Sequence, residues 1–280
     1  DAVANFLRKI LPEKLAYRIT RFKNIKMQDF SFKLARNKPQ KVKDALHKRI
    51  RKIMGADFDL APFTPPYNPW DQRLCLVPDD DLFDAIKRGK ASVVTGRISR
   101  FVKNGVELDN GETLEADIVV TATGLKLALA GKIAISQDGA PVAFDQRFYY
   151  KGCMFSNLPN LAVVFGYLNA SWTLRADINS EFVCRVLNEM ERRGVDTVVP
   201  VLAEDHGLEE DDLFDFSSGY IQRSKHIMPK SATTYPWRLN QEYVHDRKVL
   251  REAPVDDGIL AFRKAGANAV HAEEQLEAAE

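Results

Sequence analysis

The stretch Asn160-Leu-Ala-Val-Val-Phe-Gly166-Tyr-Leu-Asn-Ala-Ser-Trp172 decides the fold class. Its apolar run, Leu161–Phe165, suits a buried strand. Glycine ends the run, and a long amphipathic segment follows at once. In residues 172–193, Leu174, Ile178, Phe182, Val183, Val186, Leu187 and Met190 fall on one helical stripe, and Gly194 supplies the stop. A buried strand leading through a glycine turn into a long helix argues for α/β architecture. The junction also carries chemistry. Asn169 or Ser171 can cap the helix, whose first turn offers free N–H groups and partial positive charge. Such an end suits an anion or an electron-rich ring edge, although an ordinary capped helix reads the same way.

Working outward, a second junction is Glu115-Ala-Asp-Ile-Val-Val-Thr121-Ala-Thr-Gly124. A β-branched run ends in small residues and a glycine, which lets a ligand approach the backbone at the carboxyl end of a strand. A tight packing turn fits the same residues. Strands are expected at Ala91–Thr95, Arg97–Val102, Val106–Leu108 and Ile118–Thr121, with Asp109-Asn-Gly111 as a turn between two of them. Ile133–Ser136 and Val142–Phe144 flank a second hairpin at Asp138-Gly139. Helical spacing covers 2–20, with a new turn at Pro12, and also 40–54, Asp80–Arg88 and 240–251. The segment around Phe30, Phe32 and Leu34 also reads as helix, and the Ala/Glu-rich tail from about 266 as frayed. Residues 61–70 hold four prolines in ten positions, an extended stiff linker and the best candidate domain boundary.

Charge is asymmetric. Residues 1–54 hold 16 Lys/Arg against 4 Asp/Glu, while the remainder holds 24 against 35. A nucleic-acid or acidic-membrane partner is one reading of the basic block. The favoured reading is a solvated helical face, or one that docks on the acidic part, because the basic residues alternate with Phe, Leu and Ile at helical spacing.

Absences narrow the chemistry. The chain of 280 residues has no apolar run long enough to span a membrane as a helix. Its three cysteines and five histidines are scattered without metal-ligand spacing, so no metal site is expected. Free thiols suit a reducing cytoplasm. No two of its 15 glycines are separated by a single residue, so the phosphate-cradling G-x-G-x-x-G is missing. G-x-S-x-G is absent too.

A set of motifs then falls in order along nearly the whole chain: Tyr67-Asn-Pro-Trp-Asp-Gln-Arg-Leu-Cys-Leu-Val-Pro78, Asp81-Leu-Phe83, Asp117–Gly124, Gly166–Leu174, Ser180–Arg185 and Pro236-Trp-Arg-Leu-Asn-Gln241. Together they resemble the class B flavoprotein monooxygenases, closest to the Baeyer–Villiger branch that includes the ethionamide-activating enzymes. The resemblance implies FAD and NADPH as cofactors. It also implies O₂ and a small ketone or organosulfur substrate, oxidised through a C4a-peroxyflavin. It makes Arg73 the catalytic arginine, a permanent cation beside a peroxide anion. It places Thr121, Ala122, Thr123 and Gly124 near the cofactor, and Gly166, Asn169, Ala170 and Ser171 at the flavin edge. Tyr67, Trp70 and Trp237 become candidate pocket residues. On composition alone Arg73 is a surface arginine paired with Asp71 or a nearby acid, and Tyr67 and Trp70 read better as core aromatics.

The family's glycine-rich loops and its F-x-G signature have no counterpart here. The expected arrangement is therefore the C-terminal part of a two-dinucleotide-binding-domain α/β flavoprotein. In it, 1–66 is a helical insertion with its Pro-rich linker, 67–124 the remaining part of the NADP-binding domain, and 125–280 the second half of the FAD-binding domain. Uncovered sheet edges and apolar faces predict that the 280-residue chain alone is poorly soluble or binds FAD weakly. The alternatives are an N- or S-oxygenating flavin monooxygenase without Baeyer–Villiger activity, and a non-catalytic truncated remnant.

Overall fold

The computed structural model describes residues 1–264 apart from Leu76 and 213–215. The chain divides into two compact units. The first is Asp1–Lys126 with Phe216–Gln222, and the second begins at Leu127 and holds the rest. The break falls after Lys126, and the proline-rich segment stays inside the first unit. The expected frayed tail lies outside the described residues.

The first unit opens with three helices, α1 (Ala2–Ile10), α2 (Glu13–Asn37) and α3 (Pro39–Met54). Asp1 caps α1 by accepting from the N–H groups of Val3 and Ala4 at 3.1 and 3.2 Å. Pro12 has no N–H to extend α1, so the expected helix over 2–20 is two helices, the second running on through Phe30–Leu34. Pro39 sits in the first turn of α3, where no N–H is needed, and Gly55 ends it at φ +111°. Few side chains are buried here. Phe6, Phe22 and Phe30 are 60–66% exposed, so the apolar positions among the lysines lie open.

After Met54 the chain packs locally. Phe63 meets Phe58 and Phe83 at 5.7 and 5.5 Å, which ties the proline-rich segment to helix α4 (Asp81–Lys87). A three-stranded antiparallel sheet follows, β1 (Ile98–Val102), β2 (Gly105–Leu108) and β3 (Thr113–Glu115). The turn at Asp109-Asn110-Gly111 closes β2 onto β3. Gly105 is obligatory there, since a Cβ would stand 2.0 Å from the Leu114 carbonyl oxygen.

The second unit begins with two short hairpins, β4 (Ser136–Gln137) with β5 (Ala140–Pro141), then β6 (Tyr149–Tyr150) with β7 (Met154–Phe155). Helix α5 (Trp172–Arg193) ends at Gly194, whose φ of +64° suits glycine. β8 (Thr197–Pro200) pairs with the last strand of the unit, Leu260–Arg263, while β9 (Glu210–Asp211) pairs with β10 (Ser231–Ala232). α6 (Gly219–Ser224) spans the return from the first unit, and α7 (Tyr243–Glu252) packs on α5. The core is aromatic: Tyr149, Tyr150, Phe155, Tyr167 and Phe182 are almost fully buried, each contributing about 1.5–3 kcal/mol of apolar burial. Leu187 leaves the expected stripe and is 55% exposed.

The molecule is thus mixed helix and sheet, with every ladder among the described strands antiparallel. Three expected strands are corrected. Ala91–Thr95, Ile118–Thr121 and Leu161–Phe165 are irregular segments outside every ladder among the described residues. The cause is physical: a strand is held by a ladder of bonds to its neighbours, and among the described residues no ladder forms on these segments, Val163 N–H alone donating to the Cys153 carbonyl at 2.7 Å. Ile118 and Val120 are accordingly more than 80% exposed.

Candidate active site

In the first unit the candidate segment is Tyr67–Cys75. Proline at 69 pairs in an isolated bridge with Gln72, and Trp70 between them adopts φ +71°. A bulky residue in that region costs about 1–3 kcal/mol and persists only where its surroundings hold it. Here they do. The Trp70 ring stacks edge-on against Phe32 of α2 at 5.5 Å. Asp71 accepts from Arg36 Nη1 at 2.9 Å and from Asn68 N–H at 3.0 Å, and its carbonyl accepts from Ser217 N–H and Oγ at 2.9 and 3.0 Å.

The consequence falls on Arg73. The expected surface pairing with Asp71 does not form, because that carboxylate is engaged by Arg36. Arg73 projects, exposed, into a cleft of about 260 Å³ that Tyr67 and Cys75 also line. α3 contributes Lys43, Leu46 and His47, one helical face by spacing. Tyr67 therefore joins Arg73, while Trp70 turns to Phe32 and lies outside the cleft. Thr121–Gly124 is exposed throughout, and Gly124 takes φ +101° with open space where a Cβ would stand. A backbone so bare can be approached closely.

In the second unit the Gly166–Ser171 loop is fixed from both ends. Gly166 is buried beneath Trp172, and a Cβ there would meet the indole at 2.3 Å. Leu168 N–H donates to Gln241 Oε1 and Asn169 Nδ2 donates to the Gln241 carbonyl, both at 2.9 Å. Ser171 stands at the N-cap of α5 but does not cap it, its Oγ instead lying 2.8 Å from Thr173 Oγ1. The amide of Gln241 leaves Nε2 buried without a partner among the described residues. An uncapped 22-residue helix and an orphaned donor on a residue bonded to the preceding loop fit an electron-rich ring edge. Trp237 is 5% exposed and packs edge-on against Tyr150 at 5.5 Å.

Behind this loop lies a network that the sequence reading missed. Arg175, 1% exposed, pairs with Asp246 at 3.0 Å, donates to the Asn240 carbonyl, and stacks on Tyr167 at 4.4 Å. Tyr167 donates to Asp246 at 2.6 Å. Burial pushes the Asp246 carboxyl above its usual range, and Arg175 and Tyr167 pull it back. The signal was present in the spacing. Arg175, Asn179, Phe182, Val186 and Met190 are all buried at intervals of four, three, four and four, so two polar residues occupy core positions of α5. Among the described residues no cluster of His, Cys, Asp or Glu could hold a metal, and no helix is long and apolar enough to cross a membrane.

Comparison with known proteins finds relatives over nearly the whole chain. The chain is 43% identical over 264 residues to the "Probable FAD-binding monooxygenase AlmA" of Acinetobacter baylyi, covering 94% of this chain and 53% of that protein. It is 44% identical over 265 residues to the FAD-containing monooxygenase EthA of Mycobacterium tuberculosis, covering 94% and 54%. The EthA of Mycolicibacterium smegmatis is 43% identical over 265 residues, with the same coverage. The chain is a relative of the FAD-containing monooxygenases. It spans about half the length of the curated relatives it matches. No family model matches it, and no solved structure does.

Proposed function

We propose that the chain belongs to an FAD- and NADPH-dependent monooxygenase that inserts one oxygen atom from O₂ into ketones, in the Baeyer–Villiger manner, or oxidises organosulfur compounds. The observation that carries the reading is Arg73, a permanent cation in a cleft, whose sequence neighbour Asp71 is held by Arg36. Oxygen insertion at a carbonyl builds negative charge on oxygen. A guanidinium stabilises that charge without titrating. Bound FAD, reduced by NADPH, supplies the activation of O₂. In this reading Gly166, Asn169, Ala170 and Ser171 hold the flavin ring edge, and the first N–H groups of α5 favour negative charge there. Thr121–Gly124 carries the chain past the cofactor, and Tyr67 walls the substrate pocket beside Arg73.

The same reading makes 1–66 a helical insertion, 67–124 the end of the nicotinamide domain and 125–280 the second half of the flavin domain. Free thiols at Cys75, Cys153 and Cys184 suit a cytoplasmic setting. The test is product analysis with the full-length protein, NADPH, a cyclic ketone and a methyl aryl sulfide. Arg73→Ala is expected to lower ester formation by about 100-fold or more. Arg73→Lys restores only part, because it lacks the planar fork. Ester formed by Arg73→Ala at the parent rate would sink the assignment. Sulfoxide without ester from the parent protein would move it to the N- and S-oxygenating flavin monooxygenases.

A further inference from the structure

The cleft that holds Arg73 is asymmetric in charge. Lys43 and Arg73 both line it, and neither makes an ion pair with a described residue. No carboxylate is among its described lining residues. The nearby acids are engaged elsewhere: Asp44 accepts from Gln40 at 2.8 Å, Asp71 pairs with Arg36, and Asp80 pairs with Arg49 at 3.0 Å. Two cations in one cleft repel each other until an anion neutralises them.

His47 is a different kind of wall. The Thr64 hydroxyl has one proton and donates it to the Leu60 carbonyl at 2.8 Å. At the 3.1 Å contact with His47 Nε2 the hydroxyl must then accept, which places a proton on Nε2. That donor is spent, so the ring is anchored and Nε2 is closed to a ligand. The remaining wall is apolar, with Leu46, Phe63 and Tyr67 among it. A volume of about 260 Å³ lies just under the usual small-molecule range, which begins near 300 Å³.

We propose that this cleft binds a small organic carboxylate, its charge paired by Lys43 and Arg73 and its aryl or alkyl body covered by Leu46, Phe63 and Tyr67. The inference shares Arg73 and Tyr67 with the function proposed above and deepens that reading by naming the substrate's charged end; the test below reads binding without turnover, so the two can fail separately.

The test measures binding without turnover, by calorimetry on the full-length protein, using 4-phenylbutyrate, its uncharged amide and inorganic phosphate as probes. The acid is expected to bind at least tenfold more tightly than either of the others. Lys43→Gln should weaken the acid by about tenfold or more, the scale of a hydrogen bond to a charged group, and leave the amide unchanged. Lys43→Arg should keep the acid's affinity, and His47→Gln should alter it little. Thermal unfolding checks that each variant is folded, and Lys43→Arg carries the test if Lys43→Gln is not. Equal binding of acid and amide would overturn the proposal. So would phosphate binding as tightly as the acid, or Lys43→Gln binding the acid at parental affinity in a folded protein.

Discussion

Two arginines put the same guanidinium to opposite uses. Arg73 is exposed in a cleft of the first unit, and the acid two residues away is occupied by another cation. Arg175 is sealed in the core of the second unit with a carboxylate, a carbonyl and an aromatic face around it. The buried one can do no chemistry on an incoming molecule. It holds α5 to α7 and to Tyr167, and so fixes the segment that leads into the Gly166–Ser171 loop. The exposed one is available because surrounding bonds keep Asp71 away from it. Availability and fixation are thus separate investments, made in different units.

Breaking the buried arginine's partner should have the largest effect on stability. Asp246→Ala leaves an uncompensated buried charge, which costs about 3–5 kcal/mol. For a chain of this size that is about 10 °C in Tm. Replacing both partners, Arg175→Leu with Asp246→Leu, should recover most of the loss, since no lone charge remains buried. Cys153 gives a second readout. It is fully buried, and burial pushes its thiol up to about 12, so at pH 8 it stays protonated and unreactive. Cys75 and Cys184 are exposed. Ellman's reagent should label two thiols in the native protein at pH 8 and three in Asp246→Ala. Three labelled in the parent would mean that the core around Arg175 opens readily.

The loop itself should respond less strongly. Gly166→Ala drives a methyl into the Trp172 ring and should cost about 1–3 kcal/mol, as overpacking does. Trp172→Ala in the same chain removes the clash, so Gly166→Ala should be close to neutral in that background. Melting curves of the two singles and the double check this, and strict additivity would show that Gly166 is needed for another reason.

These sites differ in how much the sequence disclosed. The limits of α5 were readable because apolar residues recur at helical spacing from Leu174 to Met190 and Gly194 permits the left-handed stop. The Asn-Gly turn was readable because Gly111 needs φ +85°. The apolar runs at 118–121 and 161–165 were misread, since apolarity and β-branching report a wish for burial but not the presence of a partner strand. Arg73 could be found only by resemblance, as nothing in its neighbours marks it. Trp237, too, is marked only by the motif around it, and its packing against Tyr150 is not readable from spacing. Arg175 was hidden because a charged residue on a helix ordinarily faces water, whereas here it occupies a core position of α5.

The smallest stability effect tests the idea that Arg73 is kept free by design of its surroundings. Arg36 and Asp71 form a half-exposed pair, worth about 1 kcal/mol or less. Arg36→Gln should therefore hardly move Tm. It should nevertheless depress ester formation, because the Asp71 carboxylate, released by its partner, can turn to the guanidinium two residues away and quench it. That loss should shrink as salt is raised, since a solvent-accessible pair is screened. Adding Asp71→Asn should restore turnover in the Arg36→Gln protein while doing little in the parent, and this coupling separates a positioning role from a merely structural one. If Asp71→Asn fails to rescue, Arg36 does not act through Asp71, and the freedom of Arg73 must come from the backbone of the Trp70 turn alone.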